Sequence, residues 1–256
     1  MIKILSIAGS DPSGGAGIQI DLKTFQALGA HGMAVPAALT AQNSGGVSAA
    51  YPVPLRELSR QIEALLSDIK PDAMKTGMLL TQQAVKVVAG AVRKYRIGNL
   101  VIDPVIRSSS GKTLLAPNAV ATIKRELFPL ALVITPNIPE AEVLSGMRIQ
   151  TDEDMDFAAG ILMDMGPRYV LIKGGHRVSG AAEDRLYGGR TVLSFSTRRS
   201  KGEFHGTGCV LSSAIAVFIG KGLPVEKAVE KAKLFMEKML KKAGPVGRGK
   251  TRYFQF

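Results

Sequence analysis

The sequence predicts an α/β fold, a three-layer α/β/α arrangement around an open, mostly parallel sheet. Two observations carry this expectation: short apolar, β-branched runs alternate with stretches of helical period, and the final third closes on two successive helices rather than another strand. In chain order, residues 2–8 form the first apolar run, short enough for a strand buried on both faces. Residues 9–17 include Gly9, Gly14, Gly15 and Gly17, and open a helix carrying Asp21 in its early turns. Helical period recurs at 55–69, 82–95, 118–127 and 152–165, and strand-like runs recur between these at 73–75, 100–103, 132–135 and 169–173. Such alternation implies parallel βαβ units with right-handed crossovers. Residues 185–187 and 191–195 read as a hairpin, because Gly188-Gly189 supplies the positive φ of a tight turn. Residues 208–218 and 225–241 read as helices joined by Gly222-Leu223-Pro224. A closed eightfold barrel needs a strand between them, which leaves the open sheet, whose ligands gather at the carboxyl ends of the strands.

With 256 residues, 46% hydrophobic and 21% charged, the chain can bury a substantial core, and disorder is excluded for its bulk. No apolar run reaches the roughly 18 residues of a membrane span, and the opening residues pass straight into the first strand without a secretory signal. A lone cysteine, Cys209, offers no internal disulfide, so the expected location is cytoplasmic. Net charge is +12, and seven of those excess positive charges lie between Lys221 and the end. A solvated helix face and a loose basic tail account for them more simply than a nucleic-acid partner.

Residues 244–251 satisfy the eight-residue phosphate-loop pattern but follow a helix instead of joining a strand to a helix, so the match is rejected. The dinucleotide fingerprint fails at Ile20. His205-Gly206-Thr207-Gly208-Cys209 directly precedes an apolar helix, so its backbone amides and the helix dipole offer an anion site and would favour a Cys209 thiolate. On spacing alone, a glycine turn with Cys209 as a small hydrophobe serves equally well. Asp21 by itself is most simply a solvated helix residue. Asn137 and Glu140 leave a strand edge as hard oxygen ligands suited to Mg²⁺, although a helix cap explains them nearly as well. Asp103 ends another strand, and Lys173 precedes Gly174-Gly175-His176. Each signal is weak; five strand ends bearing glycine, acid, amide or lysine together define a polar edge. His31, His176 and Cys209 have no zinc spacing, and no nucleophile-elbow motif occurs.

Residues 5–25, reading Gly-Ser-Asp-Pro-Ser-Gly-Gly-Ala-Gly-Ile-Gln and then Asp-Leu-Lys-Thr-Phe, resemble the opening of the hydroxymethylpyrimidine and phosphomethylpyrimidine kinases of thiamine synthesis. Ala41-Gln42-Asn43, Lys75-Thr76-Gly77-Met78-Leu79, Asp103-Pro104-Val105, Thr135-Pro136-Asn137, Lys173-Gly174-Gly175-His176, residues 205–209 and Gly244-Pro245-Val246 follow in family order. The resemblance implies a ribokinase-like fold, a single kinase domain over 1–246 and a homodimer; beyond Val246, where the family tends towards histidine, this chain departs from it in a basic tail over 247–256. It implies phosphoryl transfer from ATP, with Mg²⁺, to 4-amino-5-hydroxymethyl-2-methylpyrimidine and then to its monophosphate. By that resemblance Gln42 would pair with the pyrimidine edge, Met78 and Val105 would pack on the ring near Gly9, and Asp21 would hold its polar groups. Gly206, Thr207, Gly208 and Cys209 would form the catalytic turn, Asp103 and Glu140 would position Mg²⁺ through water, and Asn137, Lys173 and His205 would face ATP. The family usually has a methionine and a Lys-Ser-Gly after Asp-Pro-Val, where this chain has Ile106, Arg107 and Ser109-Ser110-Gly111, which bears on the second phosphorylation. A pyridoxal kinase on the same scaffold is the alternative, and Gln42 argues against it because a pyridine ring lacks the aminopyrimidine edge.

Overall fold

The computed structural model describes residues 1–108, 111–174, 182–188, 191–197 and 202–256. Among these residues a nine-stranded sheet runs in the order β3-β2-β1-β4-β5-β6-β7-β8-β9. Its parallel part comprises β1 (Lys3–Ser10), β2 (His31–Asn43), β4 (Ala73–Thr76), β5 (Leu100–Ile102), β6 (Val133–Ile134) and β7 (Tyr169–Ile172). Antiparallel ribbons flank it: β3 (Gly46–Pro52) on β2, and β8 (Ala182–Gly188) with β9 (Thr191–Thr197) beyond β7. The expected hairpin is therefore present, although Gly189 of its turn lies outside the described residues.

Strand alternation builds the three layers. Leu5, Ile7, Leu100, Ile102, Ile134, Val170 and Ile172 face one core, shared with α2 (Leu55–Asp68), α3 (Gln82–Lys94), α4 (Pro117–Thr122), α5 (Ile138–Ser145) and α6 (Asp152–Met163). Ile4, Val101, Val133 and Leu171 face the other, shared with α1 (Gly17–Ala27), α7 (Thr207–Gly220) and α8 (Val225–Lys242). Each buried leucine or isoleucine removed from water contributes about 1.5–3 kcal/mol. Boundaries follow local chemistry: Thr81 caps α3 by accepting from the Ala84 N–H, and Asn137–Glu140 and Thr151–Asp154 form reciprocal caps on α5 and α6. The helix expected over 118–127 stays α-helical only to Thr122, then widens into a π turn over Ile123–Leu127 before Pro129 stops it.

One region adds to the sequence reading and one expectation is corrected. The 31–52 region, read only through its Gln42 motif, is a strand pair: β2 shifts register after Pro36, which has no N–H to donate, and its outer half pairs with β3. Because Ser10 aligns with Leu39, residues 40–43 extend past the end of β1 and carry Thr40 and Gln42 over the sheet's carboxyl edge. The segment 247–256, expected as a solvated tail beyond the domain, returns to the body. β10 (Gly244–Pro245) pairs with β11 (Arg252–Tyr253), and Tyr253 and Phe254 are each only 5% exposed. The rejected phosphate-loop match is thus the loop of a small hairpin.

Candidate active site

The strand order turns at β1, whose neighbours β2 and β4 lead away in opposite directions, and such a switch point opens a crevice at the carboxyl ends. A cavity of about 560 Å³ lies there, and Gln42 and Cys209 both face into it. It is also lined by Gly9, Met78, Val105, Asp103, Asn137, Glu140, Lys173, His205, Gly206, Thr207 and Gly208, so thirteen of the fourteen expected site residues converge. The fourteenth does not.

One side of the cavity suits a flat ring. Met78 packs with Ala38, Leu114 and Val105, and its methyl lies over Gly9, where a Cβ would come within 2.3 Å of it. The Gln42 amide stands beside this apolar wall, its oxygen accepting from Thr40 Oγ1 at 3.3 Å. His205 Nε2 lies 2.8 Å from Gln42 Nε2 and 3.0 Å from Asp11 Oδ2. One ring nitrogen cannot donate to the carboxylate and also accept from the amide, so the proton on Nε2 decides which end of Gln42 faces the ring. Asp11 also accepts from the Ser13, Gly15 and Ala16 amides and from Ser13 Oγ. Burial pushes its carboxyl up, but the bonds from His205 and Ser13 outweigh burial and hold it below the usual carboxylate range. His205, expected to face ATP, lies against Asp11 and Gln42 beside the apolar wall.

The opposite side is charged. Lys173 Nζ is 3.0 Å from Asp103 Oδ1 and 3.9 Å from Glu140 Oε2. Burial alone would lower the lysine, yet Asp103 and Glu140 raise it, so it remains an ammonium. Glu140 Oε2 accepts the Asn137 N–H at 2.9 Å, and Asn137 Oδ1 accepts the Glu140 N–H at 2.8 Å. The cap and the functional placement are thus the same geometry. Burial, with Asp103 beside it and Lys173 offsetting, pushes Glu140 up to about 7. Helix α7 begins here, its first amides lacking partners within the helix. Gly208 sits so close that a Cβ would lie 3.2 Å from Lys173 Nζ and 3.4 Å from Asp103 Oδ2. Gly206 has φ +79°, and a Cβ on it would fall 2.0 Å from the Gly15 carbonyl oxygen. Gly206→Ala is therefore expected to push residues 9–17 and the α7 turn apart and lower kcat/KM about tenfold, read by steady-state kinetics. Wild-type kinetics in that variant would rule out a need for close approach at this turn.

The exception is Asp21. It is fully buried and does not line the cavity; both its oxygens lie 2.9 Å from Lys75 Nζ, and it accepts from Ser6 and Ser213 hydroxyls at 2.6 and 2.8 Å. Lys75, noted in the sequence only within a family motif and given no role, reaches the cavity in its place. Burial would neutralise this ammonium, but Asp21, Cys209 and Asp103 raise its pKa. Its signal in the sequence was a lysine inside an otherwise buried strand. Of the two readings left open for Cys209, the neutral thiol gains support: burial pushes it up to about 11, with Lys75 and the Gly17 backbone lowering it and Asp21 and Asp103 raising it. Gly175, His176, Ser109 and Ser110 lie outside the described residues.

Comparison with known proteins finds relatives along nearly the whole chain. The thiamine biosynthesis bifunctional protein of Geobacter sulfurreducens is 44% identical over 247 residues, covering 96% of this chain, which spans about half (50%) of that protein's length. The hydroxymethylpyrimidine/phosphomethylpyrimidine kinase of Rhizobium meliloti is 42% identical, covering 98% of this chain and 96% of its own. The crystal structure of Bacillus subtilis pyridoxal kinase with ADP superposes with a TM-score of 0.92 at 36% identity, covering 100% of this chain and 97% of that one. The open sheet is accordingly ribokinase-like. A family model for phosphomethylpyrimidine kinase matches residues 11–253, a span that takes in every cavity residue named above except Gly9, and the chain belongs to that family.

Proposed function

We propose that this cavity transfers the terminal phosphoryl group of ATP to the hydroxymethyl group of 4-amino-5-hydroxymethyl-2-methylpyrimidine, and then to the monophosphate so formed, in thiamine biosynthesis. The observation that carries the reading is the shared cavity: a ring-sized apolar wall with the Gln42 amide on one side, and Lys173 with the amino end of α7 on the other. An amide presents a donor and an acceptor in one plane, as an aminopyrimidine edge requires. Lys173 and the amides of Thr207, Gly208 and Cys209 hold negative charge where the transferring group would gather it. Cys209 sits at the same turn, beside the acceptor hydroxyl, and Asn137 supports the nucleotide side.

Asp103 and Glu140 fit Mg²⁺. They are two hard oxygen donors facing one cavity, with the Lys173 ammonium 3.0 Å from Asp103 Oδ1 and 3.9 Å from Glu140 Oε2. Two protein carboxylates suit an ion that keeps much of its water. When bound, Mg²⁺ would neutralise phosphate charge.

An ATP-consumption assay with the pyrimidine alcohol and with its monophosphate, with and without Mg²⁺, tests the reading. Gln42→Leu is expected to raise KM for the pyrimidine about tenfold and leave KM for ATP within twofold, since one paired polar contact is worth about 1–1.5 kcal/mol. The pyridoxal kinase neighbour motivates the same assay with pyridoxal. A higher kcat/KM for pyridoxal would overturn the substrate. The homodimer and the cytoplasmic location belong to this proposal; exposed Leu39 and Tyr51, paired across β2 and β3, supply apolar surface for a second copy, which sedimentation would test. No described helix is long and apolar enough to cross a membrane.

A further inference from the structure

Tyr253 does not line the cavity, yet it is tied to the group that orients the cavity's amide. The backbone of Arg252 brackets the approach to His205: its N–H donates to the Glu203 carbonyl at 2.8 Å, and its carbonyl accepts the His205 N–H at 3.0 Å. This fixes where Tyr253 lies. Its ring centroid is 5.2 Å from that of His205, tilted by 56°. Its hydroxyl is 3.1 Å from Ser13 Oγ, which donates to Asp11 Oδ1 at 2.7 Å, so the phenol donates and the serine accepts. Asp11 presents its other oxygen to His205 Nε2. The imidazole is thus gripped twice, by the phenol ring directly and by the phenol hydroxyl through Ser13 and Asp11. The grip is close: a Cβ on Gly15 would fall 2.4 Å from both the His205 and Tyr253 rings.

We propose that Tyr253 is a positioning residue for acceptor choice, holding His205 in the setting that fixes which end of the Gln42 amide faces the ring. A loosened imidazole could accept from the amide nitrogen or donate to the amide oxygen, and those two states present reversed donor and acceptor patterns to a bound ring. The inference rests on the aminopyrimidine reading, because only a substrate with a directional polar edge senses that reversal. A role confined to packing would instead disturb both substrates alike.

The test uses the full chain carrying Tyr253→Leu, which removes both grips, and Tyr253→Phe, which removes only the hydroxyl. With Leu, KM for the pyrimidine alcohol is expected to rise about tenfold, with KM for ATP and kcat within twofold; with Phe the rise is about threefold. In nitrogen-detected NMR of the free protein, the His205 ring should hold one tautomer in the wild type and average between two in the Leu variant. Unchanged KM for the pyrimidine, or equal rises for both substrates, would overturn the proposal. Should the wild type fail to use the pyrimidine, the substrate reading falls on its own account. The ring spectra then decide the positioning role: averaging supports it, and an unchanged tautomer overturns it.

Discussion

Lys75→Met is expected to destabilise the folded chain by about 3–5 kcal/mol, because it leaves the Asp21 carboxylate buried without a counter-charge. Both side chains of the pair have 0% exposure, and each Asp21 oxygen lies 2.9 Å from the ammonium. The hydroxyls of Ser6 and Ser213 would remain as donors to Asp21, but neither neutralises it. Urea unfolding should show a lowered midpoint with an unchanged slope. The double variant Lys75→Met, Asp21→Asn removes both charges and should recover at least half the loss, since the penalty belongs to the unpaired ion and not to the vanished contact. A single variant within about 1 kcal/mol of wild type would show that the pair is solvated in a way its burial denies.

Cys209→Ala should fold normally and lose about 100-fold in kcat, the usual worth of a positioned proton-transfer group. The pH profile separates two roles for the thiol. Because burial holds its pKa near 11 despite the neighbouring Lys75, only a small fraction is ionised at neutral pH. If the thiolate takes the alcohol's proton, kcat/KM rises with pH as that fraction grows, by about tenfold per unit between pH 7 and 10, where ionisation is still far from complete. The slope should vanish in the alanine variant. A level wild-type profile would leave Cys209 as a hydrogen-bonding neighbour of the hydroxyl and remove it as the base.

How much of this was legible without coordinates depends on the range of the interaction involved. The parallel strands around Ile7, Val101 and Leu171 announced themselves because burial on both faces demands a continuous apolar run. Strand β2 did not: Pro36 and a stretch rich in alanine blur its pattern, and its outer half is half-exposed. The charged rim of Asp103, Glu140 and Lys173 was readable because each residue leaves a strand at its carboxyl end. Asp21 was misplaced for the opposite reason. Its meaning comes from Lys75, 54 residues away, and nothing in the first turns of a helix reveals a partner at that separation. For Cys209 the helix dipole was weighed without desolvation, the larger effect at this partly buried sulfur. Tyr253 was invisible within a segment that composition alone marks as a basic end.

The link from Ser13 to Tyr253 joins positions 240 apart in sequence. Closing a loop that long costs more chain entropy than closing the short loops of the βαβ units, so this contact is expected to form after they do. A contact that closes late is also expected to open early, so mild denaturant should release the imidazole from its setting before the sheet gives way.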